Sequence, residues 1–267
     1  MLNQERKDQI RARLSLDGRV IAAELAKEFG VSEDAIRRDL RELARMGYCR
    51  RVYGGALLPA PDFGGIQERT TELIDSKNQL AKSVANHVTD GATIFIDASS
   101  TNIAVAAELP KNIKITVITN APAIAVALTD HVLCKIIVLG GTFNPIKGAC
   151  LGSLAVEEAK KIYADILILG ACGVDRTLGI TAFDPEEAEF KRCLINQSSL
   201  VIAPITSNKV GTVAPFKLCE ASDIDILMVE DNVPPSTIEN FKEIGIKVEI
   251  SEKNLNDRLI IANSKSL

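Results

Sequence analysis

The segment between Ser32 and Met46 encodes a helix with one apolar side and one arginine side. Ser32 is suited to cap its first turn, and at about 100° per residue three apolar residues share one side: Ile36, Leu40 and Leu43. Four arginines fall within about a quarter of the circumference on the other side: Arg37, Arg38, Arg41 and Arg45. Guanidinium groups form bidentate hydrogen bonds with phosphates and guanine edges, so this pattern favours a helix that enters the major groove of DNA. The alternative is a solvated surface helix, but such a helix usually mixes its charges.

The residues before this helix predict a helix-turn-helix. The chain can form a first helix over 4–16 that Gly18 ends, and a second short helix over 22–29. Only residues 30–32 separate the second helix from the arginine helix, which is the tight connection of that motif.

A short hairpin wing is expected over 48–57. Arg50 and Arg51 would lie at the height of the DNA phosphates, and Tyr53 precedes the glycine pair Gly54 and Gly55. Contacts of this kind position a domain on DNA without reading its sequence.

The segments VSEDAIRRDLREL and GYCRRVYGGA resemble the DeoR family of bacterial transcription regulators, whose hallmark is VS, two variable residues, TIRRDL and an arginine before a GGA wing. Ala35 stands where the family usually has threonine, which removes one hydroxyl near the DNA backbone. The pattern and the resemblance together nominate these DNA-binding residues: Ser32, Arg37, Arg38, Arg41, Arg50, Arg51 and Tyr53.

The charge distribution agrees with a DNA-binding head on a larger body. Residues 1–57 hold 12 Lys and Arg against 9 Asp and Glu, whereas the whole chain of 267 residues has a net charge of −4. No segment approaches the roughly 20 apolar residues of a membrane span, and the charged N-terminus is unlike a signal peptide. We therefore expect a cytoplasmic protein.

The six cysteines lack CxxC spacing and predict reduced core residues, and His87 and His131 are expected at the surface.

Beyond residue 57 the pattern changes to a linker and then to an α/β domain. The PAPDFGG stretch predicts an interdomain linker around 59–66, and residues 67–75 fit either a helix or the linker. Short apolar runs without polar alternation then predict buried strands at 93–97, 114–119, 135–140, 165–170, 199–203, 225–229 and 247–250. Helical segments lie between them at 77–88, 101–109, 121–128, 154–163, 185–196 and 236–244.

These patterns define a fold class and four regions. We predict an α/β protein, with an N-terminal winged helix-turn-helix followed by a mainly parallel α/β sheet domain that has helices on both faces. The expected regions are a DNA-binding domain at 1–57, a linker at 58–76, a sensor and oligomerisation domain at 77–252 and a C-terminal tail at 253–267.

Polar or small residues follow several of the predicted strands. Ligands of parallel α/β sheets bind beyond the carboxyl ends of the strands, where this chain has Asp97, Ser99, Ser100, Thr101, Thr119, Asn120, Gly140, Gly141 and Asp175. The hydroxyl-rich Ser99 to Thr101 turn opens a helix, so its backbone N–H groups and hydroxyls could hold a phosphate. Capping of that helix is the plainer explanation for the turn alone, and the convergence of several polar strand ends favours a binding site.

The motifs DASST, TN, GG, GACGVD, GITA with FDPEEAEFKR, and TSNKVG resemble the effector domain of the same DeoR family. The resemblance implies a fold similar to ribose-5-phosphate isomerase and a phosphorylated sugar or sugar alcohol as effector, with Lys209 as a point charge near its phosphate. This chain departs from the family pattern at several positions, among them Ser99 for Gly, Cys172 for Asp and Thr206 for Asp, which predicts an altered ligand preference.

We therefore expect a sequence-specific DNA-binding transcriptional regulator, a repressor of a carbohydrate catabolic operon, controlled by a phosphorylated sugar or sugar alcohol. Double-stranded operator DNA is the expected macromolecular partner, and two heads on a dimer or tetramer are expected to bind it. A sugar-phosphate isomerase with a DNA-binding head is the alternative, for which Asp175, Glu187, Glu189 and Lys209 could be nominated, although Cys172 stands where the isomerase-like loop has a carboxylate. A large domain that only oligomerises the head is a third possibility. No catalytic residue, cofactor or metal is predicted.

Overall fold

Three helices and a small sheet form the N-terminal head in the computed structural model, which describes residues 2–62 and 64–251. The elements are α1 (Asn3–Asp17), β1 (Arg19–Ile21), α2 (Ala22–Phe29), α3 (Glu33–Arg45), β2 (Arg50–Val52) and β3 (Gly55–Leu57). The three predicted helices and the wing hairpin are confirmed. Strand β1 was not predicted, because three residues are too few for a periodic pattern; it pairs with β3 and completes the sheet in the order β1-β3-β2.

The apolar side of α3 forms the centre of the head. Ile36, Leu40 and Leu43 are at most 2% exposed and pack with Ile10 and Leu14 of α1. Burial of this apolar surface is the main force that holds the helices together. The arginine side of α3 consequently faces away from the core.

Residues 66–251 form the larger part of the fold. Its helices are α4 (Ile66–Thr71), α5 (Ile74–Ala85), α6 (Ser100–Glu108), α7 (Pro122–Ala127), α8 (Ser153–Ala159), α9 (Pro185–Asn196) and α10 (Pro235–Lys242). Its strands are β4 (Thr93–Ile96), β5 (Ile115–Thr119), β6 (Cys134–Val138), β7 (Thr142–Asn144), β8 (Ala149–Leu151), β9 (Ala164–Ile168), β10 (Gly173–Asp175), β11 (Gly179–Ala182), β12 (Ser198–Ile205), β13 (Phe216–Cys219), β14 (Ile226–Val229) and β15 (Lys247–Ile250).

Seven of these strands form one sheet in the order β15-β14-β12-β9-β4-β5-β6, and every pair in it is parallel. From β4 the chain adds β5 and then β6 on one side, and from β9 it adds β12, β14 and β15 on the other side. Right-handed crossovers then place α6 and α7 on one face and α9 and α10 on the other. The α/β class and the flanked parallel sheet are therefore confirmed.

Several short strands and the start of one helix differ from the sequence predictions. Residues 142–151, 173–182 and 216–219 were left without structure, but they form the β7–β8 hairpin and the β10-β11-β13 sheet. Strands of three or four residues carry too little hydrophobic pattern to be recognised. The undecided residues 67–75 form α4 and the start of α5, so α5 begins at Ile74 instead of residue 77.

Some predictions for single residues were wrong. His131 is only 3% exposed, and its Nε2 lies 2.7 Å from the Pro110 carbonyl oxygen, so it is not a surface residue. Three of the six cysteines are buried, namely Cys49, Cys172 and Cys193, whereas Cys134, Cys150 and Cys219 are half-buried. The prediction of core cysteines therefore holds for only half of them.

Two hydrophobic clusters divide the described part of the chain. Buried members of the first run from Ile10 to Ala56, and those of the second run from Ala60 to Ile246. The domain boundaries at 57, 76 and 252 stay predictions, and the predicted tail at 253–267 lies outside the described residues. Among the helices described here, none combines the length and the apolar character that a bilayer crossing requires.

Candidate functional sites

The outward side of α3 carries the exposed arginines, namely Arg37, Arg38, Arg41 and Arg45. Ser32 caps the helix, since its Oγ accepts a hydrogen bond from the Ala35 N–H at 3.3 Å. Arg37 pairs with Glu33 at 2.8 Å within the helix. Within the described residues, Arg41 and Arg45 have no carboxylate partner, so their guanidinium groups are available to a ligand.

Two of the four acidic residues of α3, Asp39 and Glu42, are paired with α1. Asp39 is 2% exposed and its Oδ2 accepts a hydrogen bond from Arg6 Nε at 2.5 Å, and Glu42 pairs with Lys7 at the same distance. The hydrogen bond to Asp39 raises the pKa of Arg6 above its ordinary value. Because these two carboxylates are neutralised on the inner side, the outer side of α3 remains positively charged.

The wing adds two further arginines beside α3. Arg50 and Arg51 are exposed on β2, and neither has a carboxylate partner among the residues that the structure describes. The β2–β3 turn holds Tyr53, which is fully exposed, and Gly54 at φ 83°. All seven predicted DNA-binding residues thus lie either on α3 and its N-terminal cap or on the β2–β3 wing beside it.

The β4–β9 pair marks the point where the direction of strand order reverses, and such switch points form the ligand crevices of open α/β sheets. Asp97 follows β4 and is completely buried. Its Oδ1 accepts hydrogen bonds from the Gly170 N–H at 2.7 Å and from Asn102 Nδ2 at 2.5 Å. Asp97 therefore joins the ends of β4 and β9 to the first turn of α6.

Lys191 of α9 is the cation at this crevice. Its Nζ lies 3.0 Å from Asp97 Oδ2 and 2.6 Å from Glu187 Oε1, and it donates a hydrogen bond to the Gly170 carbonyl oxygen at 2.7 Å. Burial alone would lower the pKa of Lys191, but the two carboxylates outweigh it and hold the pKa above its ordinary value. Lys191 thus forms ion pairs with two buried carboxylates and a hydrogen bond with a carbonyl oxygen, which makes it a structural residue of the crevice.

The predicted phosphate turn caps α6 in the structure. Ser99 Oγ accepts a hydrogen bond from the Asn102 N–H at 3.0 Å, while Ser100 and Thr101 are buried in the first turn. At the next strand end, Asn120 links the Ala98 N–H, at 3.2 Å, to the Cys150 carbonyl oxygen, at 3.0 Å. Thr119 Oγ1 accepts from the Ala121 N–H at 3.0 Å. The structure thus brings these predicted residues together at one edge of the sheet, with local hydrogen bonds satisfied.

Three other predicted residues lie farther along this side. The Gly140 N–H donates to Glu158 Oε2 at 2.7 Å, and Gly141 has a φ of 121°, which disfavours a side chain there. Asp175 ends β10 and accepts hydrogen bonds from the N–H groups of the following turn, at 2.8 Å from Thr177 and 2.9 Å from Leu178. It lines a separate cleft of about 620 Å³ between the head and α10. The structure does not group these three residues with the crevice at β4 and β9.

A small cavity of about 170 Å³ lies beside the Asp97–Lys191 pair. Its walls include Arg69, Lys147, Cys172, Phe183, Glu187 and Lys209. Lys209 Nζ donates to the Ala171 carbonyl oxygen at 3.0 Å, and burial, reinforced by the nearby cations Arg69 and Lys191, lowers the pKa of Lys209 to about 8. Of the predicted effector residues, Lys209 alone lines this cavity. The lining carries three cations, Arg69, Lys147 and Lys209, against the carboxylates of Asp62 and Glu187, and this excess of positive charge suits an anionic ligand.

Sequence reasoning missed Arg69, Lys147 and Lys191 as residues of this region. Arg69 lies in a stretch that was left undecided, Lys147 follows an unrecognised strand, and Lys191 looks like one exposed charge of an acidic helix. The i,i+4 spacing of Glu187 and Lys191 was the available signal, although the same spacing occurs on many solvated helices.

Comparison with known proteins gave matches over both parts of the chain. The family model described as "DeoR-like helix-turn-helix domain" matches residues 6–61, and "DeoR C terminal sensor domain" matches residues 72–231. The chain is 30% identical to the HTH-type transcriptional regulator GolR of Listeria innocua over 93% of this chain and 98% of that protein. It is also 30% identical to the glycerol-3-phosphate regulon repressor of Escherichia coli, over 87% and 93% of the two chains.

Among solved structures, the chain is similar to ribose 5-phosphate isomerase A of Methanocaldococcus jannaschii. The match has 15% sequence identity and a TM-score of 0.37, and it covers 51% of this chain and 54% of that one. A likeness at this level carries no statement about the activity of the present chain.

Proposed function

The chain belongs to the DeoR family of transcriptional regulators, and from this premise we propose that it represses a carbohydrate catabolic operon under the control of a phosphorylated sugar or sugar alcohol. The observation that carries the DNA-binding part is the charge separation on α3. Asp39 and Glu42 are paired with α1, and the arginines of α3 face outward beside those of the wing.

In this proposal α3 lies in the major groove, and the wing contacts the flanking phosphates. Arg37, Arg38 and Arg41 contact the groove, and Arg50, Arg51 and Tyr53 contact the backbone. Paired heads on a symmetric dimer or tetramer bind two half-sites, because a single head buries too little DNA surface for specific binding. Light scattering that shows only monomers, with and without operator DNA, would reject the oligomer.

The effector part of the proposal depends on the cationic cavity and on the predicted Ser99 to Thr101 turn beside it. A phosphorylated polyol supplies an anion for this cavity and hydroxyls for the polar strand ends. The glycerol-3-phosphate regulon repressor of E. coli is named for such a compound, so glycerol 3-phosphate is a rational first probe. The isomerase alternative is not favoured, since Asp97 and Glu187 are both ion-paired with Lys191 instead of being free to act as a base.

The DNA-binding proposal predicts a loss of affinity when α3 loses its arginines. Duplex DNA that the wild-type protein selects from a random library serves as the operator in a gel-shift titration. Arg38→Ala should cost about 1–3 kcal/mol if it contacts a base, and a triple alanine variant of Arg37, Arg38 and Arg41 should lose specific binding. Arg13→Ala is the control, because Arg13 is exposed on α1 and pairs with Glu28. Unchanged affinity of the triple variant would refute the proposed surface.

The effector proposal predicts that phosphorylated polyols release this operator. The same titration is repeated with glycerol 3-phosphate and with pentose and hexose phosphates, each against its unphosphorylated counterpart. Release by the phosphorylated member alone supports the proposal. If none of the phosphorylated compounds changes the DNA affinity or the melting temperature, the effector class is wrong.

A further inference from the structure

Arg69 belongs to α4, the short helix that follows the predicted linker, and its side chain reaches the cationic cavity. Helix α4 packs against α6, the helix whose first turn contains Ser100 and Thr101. Arg69 Nε is buried and has no hydrogen-bond partner among the described residues. An unpaired buried guanidinium N–H is costly, so this group indicates a partner outside the protein chain.

The other charges around the cavity do not supply that partner. Glu187 is 2.6 Å from Lys191 and 3.9 Å from Lys147, so its charge is already shared between two lysines. In the part of the chain that the structure describes, neither Arg69 nor Lys209 forms an ion pair. The Asp62 carboxylate also lines the cavity, and its Oδ1 accepts a hydrogen bond from the Gly64 N–H at 3.0 Å. Among the described residues, neither Asp62 nor Glu187 forms an ion pair with Arg69 or Lys209.

The backbone of α4 holds Arg69 in this position. Lys77 of α5 is 6% exposed, and its ammonium group donates hydrogen bonds to the carbonyl oxygens of Arg69 and Glu72. On the opposite side, the Ile66 N–H donates to the Ile146 carbonyl oxygen at 2.8 Å, in the β7–β8 hairpin. Helix α4 is thus fixed at both ends while the Arg69 side chain remains unpaired.

We propose that Arg69, together with Lys209, binds the phosphate of the effector, so that the segment between head and sheet is itself part of the effector site. This inference rests on the proposed function, which supplies a phosphorylated effector. Arginine binds phosphate oxygens bidentately, and Lys209 adds a second charge-assisted hydrogen bond from the 3-10 turn that follows β12.

The position of Arg69 links occupancy of the cavity to the head. Strand β3 of the wing ends at Leu57, and the Ala60 N–H donates to the Val213 carbonyl oxygen at 2.9 Å. Only eight residues separate Ala60 from Arg69 in the chain. A phosphate that binds Arg69 therefore constrains the chain segment that connects the head to the sensor domain. Phosphate binding can change the affinity for DNA only if the phosphate binds more tightly to one arrangement of the heads than to another.

Calorimetric titration with inorganic phosphate and with glycerol 3-phosphate tests this role. Arg69→Gln should weaken both by about tenfold or more, and Arg69→Lys should recover part of the loss because it keeps the charge without the planar fork. Lys161→Gln, which removes an exposed cation of the sensor domain, is the matched control and should bind as the wild type does. The melting temperature of unliganded Arg69→Gln should not fall, since the Arg69 side chain forms no ion pair with the described residues and its Nε has no hydrogen-bond partner among them.

A fluorescent reporter tests the link to the connecting segment. The chain has no tryptophan, so Gln67→Trp on the exposed side of α4 introduces a unique fluorophore. Glycerol 3-phosphate should shift its emission when Arg69 is present and leave it unchanged in the Arg69→Gln background. If the wild type binds glycerol 3-phosphate and Arg69→Gln binds it equally well, the inference is wrong and the proposed function stands. If no phosphorylated compound binds the wild type, the effector class itself fails.

Discussion

At the residue scale, burial decides which charged side chains are structural and which are available to a ligand. Lys191 and Asp97 are 2% and 0% exposed, and Lys191 forms ion pairs with both Asp97 and Glu187. Removing one member of such a buried group leaves the charges of the others without a partner, whereas Arg69 and Lys209 form no ion pair among the described residues. The two pairs of residues are close in space but differ in role.

The lowered pKa of Lys209 predicts that effector binding takes up protons. Burial lowers this pKa to about 8, and a bound phosphate dianion favours the charged ammonium. Phosphate monoesters have already lost their second proton well below this pH, so the ligand itself does not titrate at pH 8. About half of the Lys209 side chains are neutral at pH 8, and binding should therefore be accompanied by the uptake of about half a proton by Lys209. Calorimetry of glycerol 3-phosphate in two buffers of different ionisation enthalpy measures it.

The sign of the pH dependence follows from the same shift. Below about pH 7 Lys209 is already protonated, so uptake vanishes, and above pH 8 affinity falls as the neutral amine must first gain a proton. The Lys209→Arg variant keeps a permanent charge and should show no uptake at any of these pH values. Equal proton uptake by the variant and the wild type would assign the titration to another group.

At the element scale, α3 is held by two parallel ion pairs to α1 that differ in burial. The Arg6–Asp39 pair has side chains 12% and 3% exposed, whereas Glu42 of the Lys7–Glu42 pair is 46% exposed. Exposed ion pairs contribute about 0–1 kcal/mol, while breaking a buried one costs several times more. Of the two ion pairs, Arg6–Asp39 therefore contributes more to holding α3 against α1.

This difference predicts unequal effects of two similar substitutions. Asp39→Asn should destabilise the head by about 3 kcal/mol, because it leaves the Arg6 charge without its partner, and Glu42→Gln should cost less than about 1 kcal/mol. Hydrogen exchange of the α1 and α3 amides measures both in the full-length protein. Similar protection in the two variants would mean that the buried pair does not hold α3.

At the scale of the whole molecule, the head contacts the sensor domain through backbone. Leu58 lies between the two parts: its N–H donates to the Gly18 carbonyl oxygen at 2.7 Å, and its carbonyl oxygen accepts from the Val213 N–H at 3.2 Å. A Cβ added at Gly18 would lie 2.6 Å from the Gly211 carbonyl oxygen. Gly211 follows the short 3-10 helix Ser207–Lys209, which carries the cavity lysine. One loop of the sensor domain therefore contacts both the cavity and the head.

Alanine at Gly18 should loosen this contact, and Gly30 provides the matched control. Both glycines end helices of the head in the left-handed region, at φ 72° and 64°, so alanine costs each about 1–2 kcal/mol of backbone strain. Only Gly18→Ala also collides with Gly211, because nothing lies within 4 Å of a Cβ at Gly30. The Leu58 amide should therefore exchange hydrogen faster in Gly18→Ala than in Gly30→Ala. Equal exchange rates would contradict the importance of this contact.

The sequence by itself determined the local elements and the family. Helix α3 could be predicted because Ile36, Leu40 and Leu43 recur with the helical period and Ser32 caps the first turn, and both signals depend on nearby residues alone. The parallel sheet could be predicted because strands buried on both faces are apolar throughout. The motifs of the head and of the strand ends also indicated the DeoR family.

Only the tertiary structure decided the composition of the cavity. Arg69, Lys147 and Lys209 lie in three segments that are far apart in the chain, and no local pattern distinguishes a lysine that lines a cavity from one that is solvated. The same reason explains why Lys191 was missed and why His131 was assigned to the surface. Burial depends on which distant elements pack over a side chain, and that depends on the order of strands in the sheet and on where α4 lies.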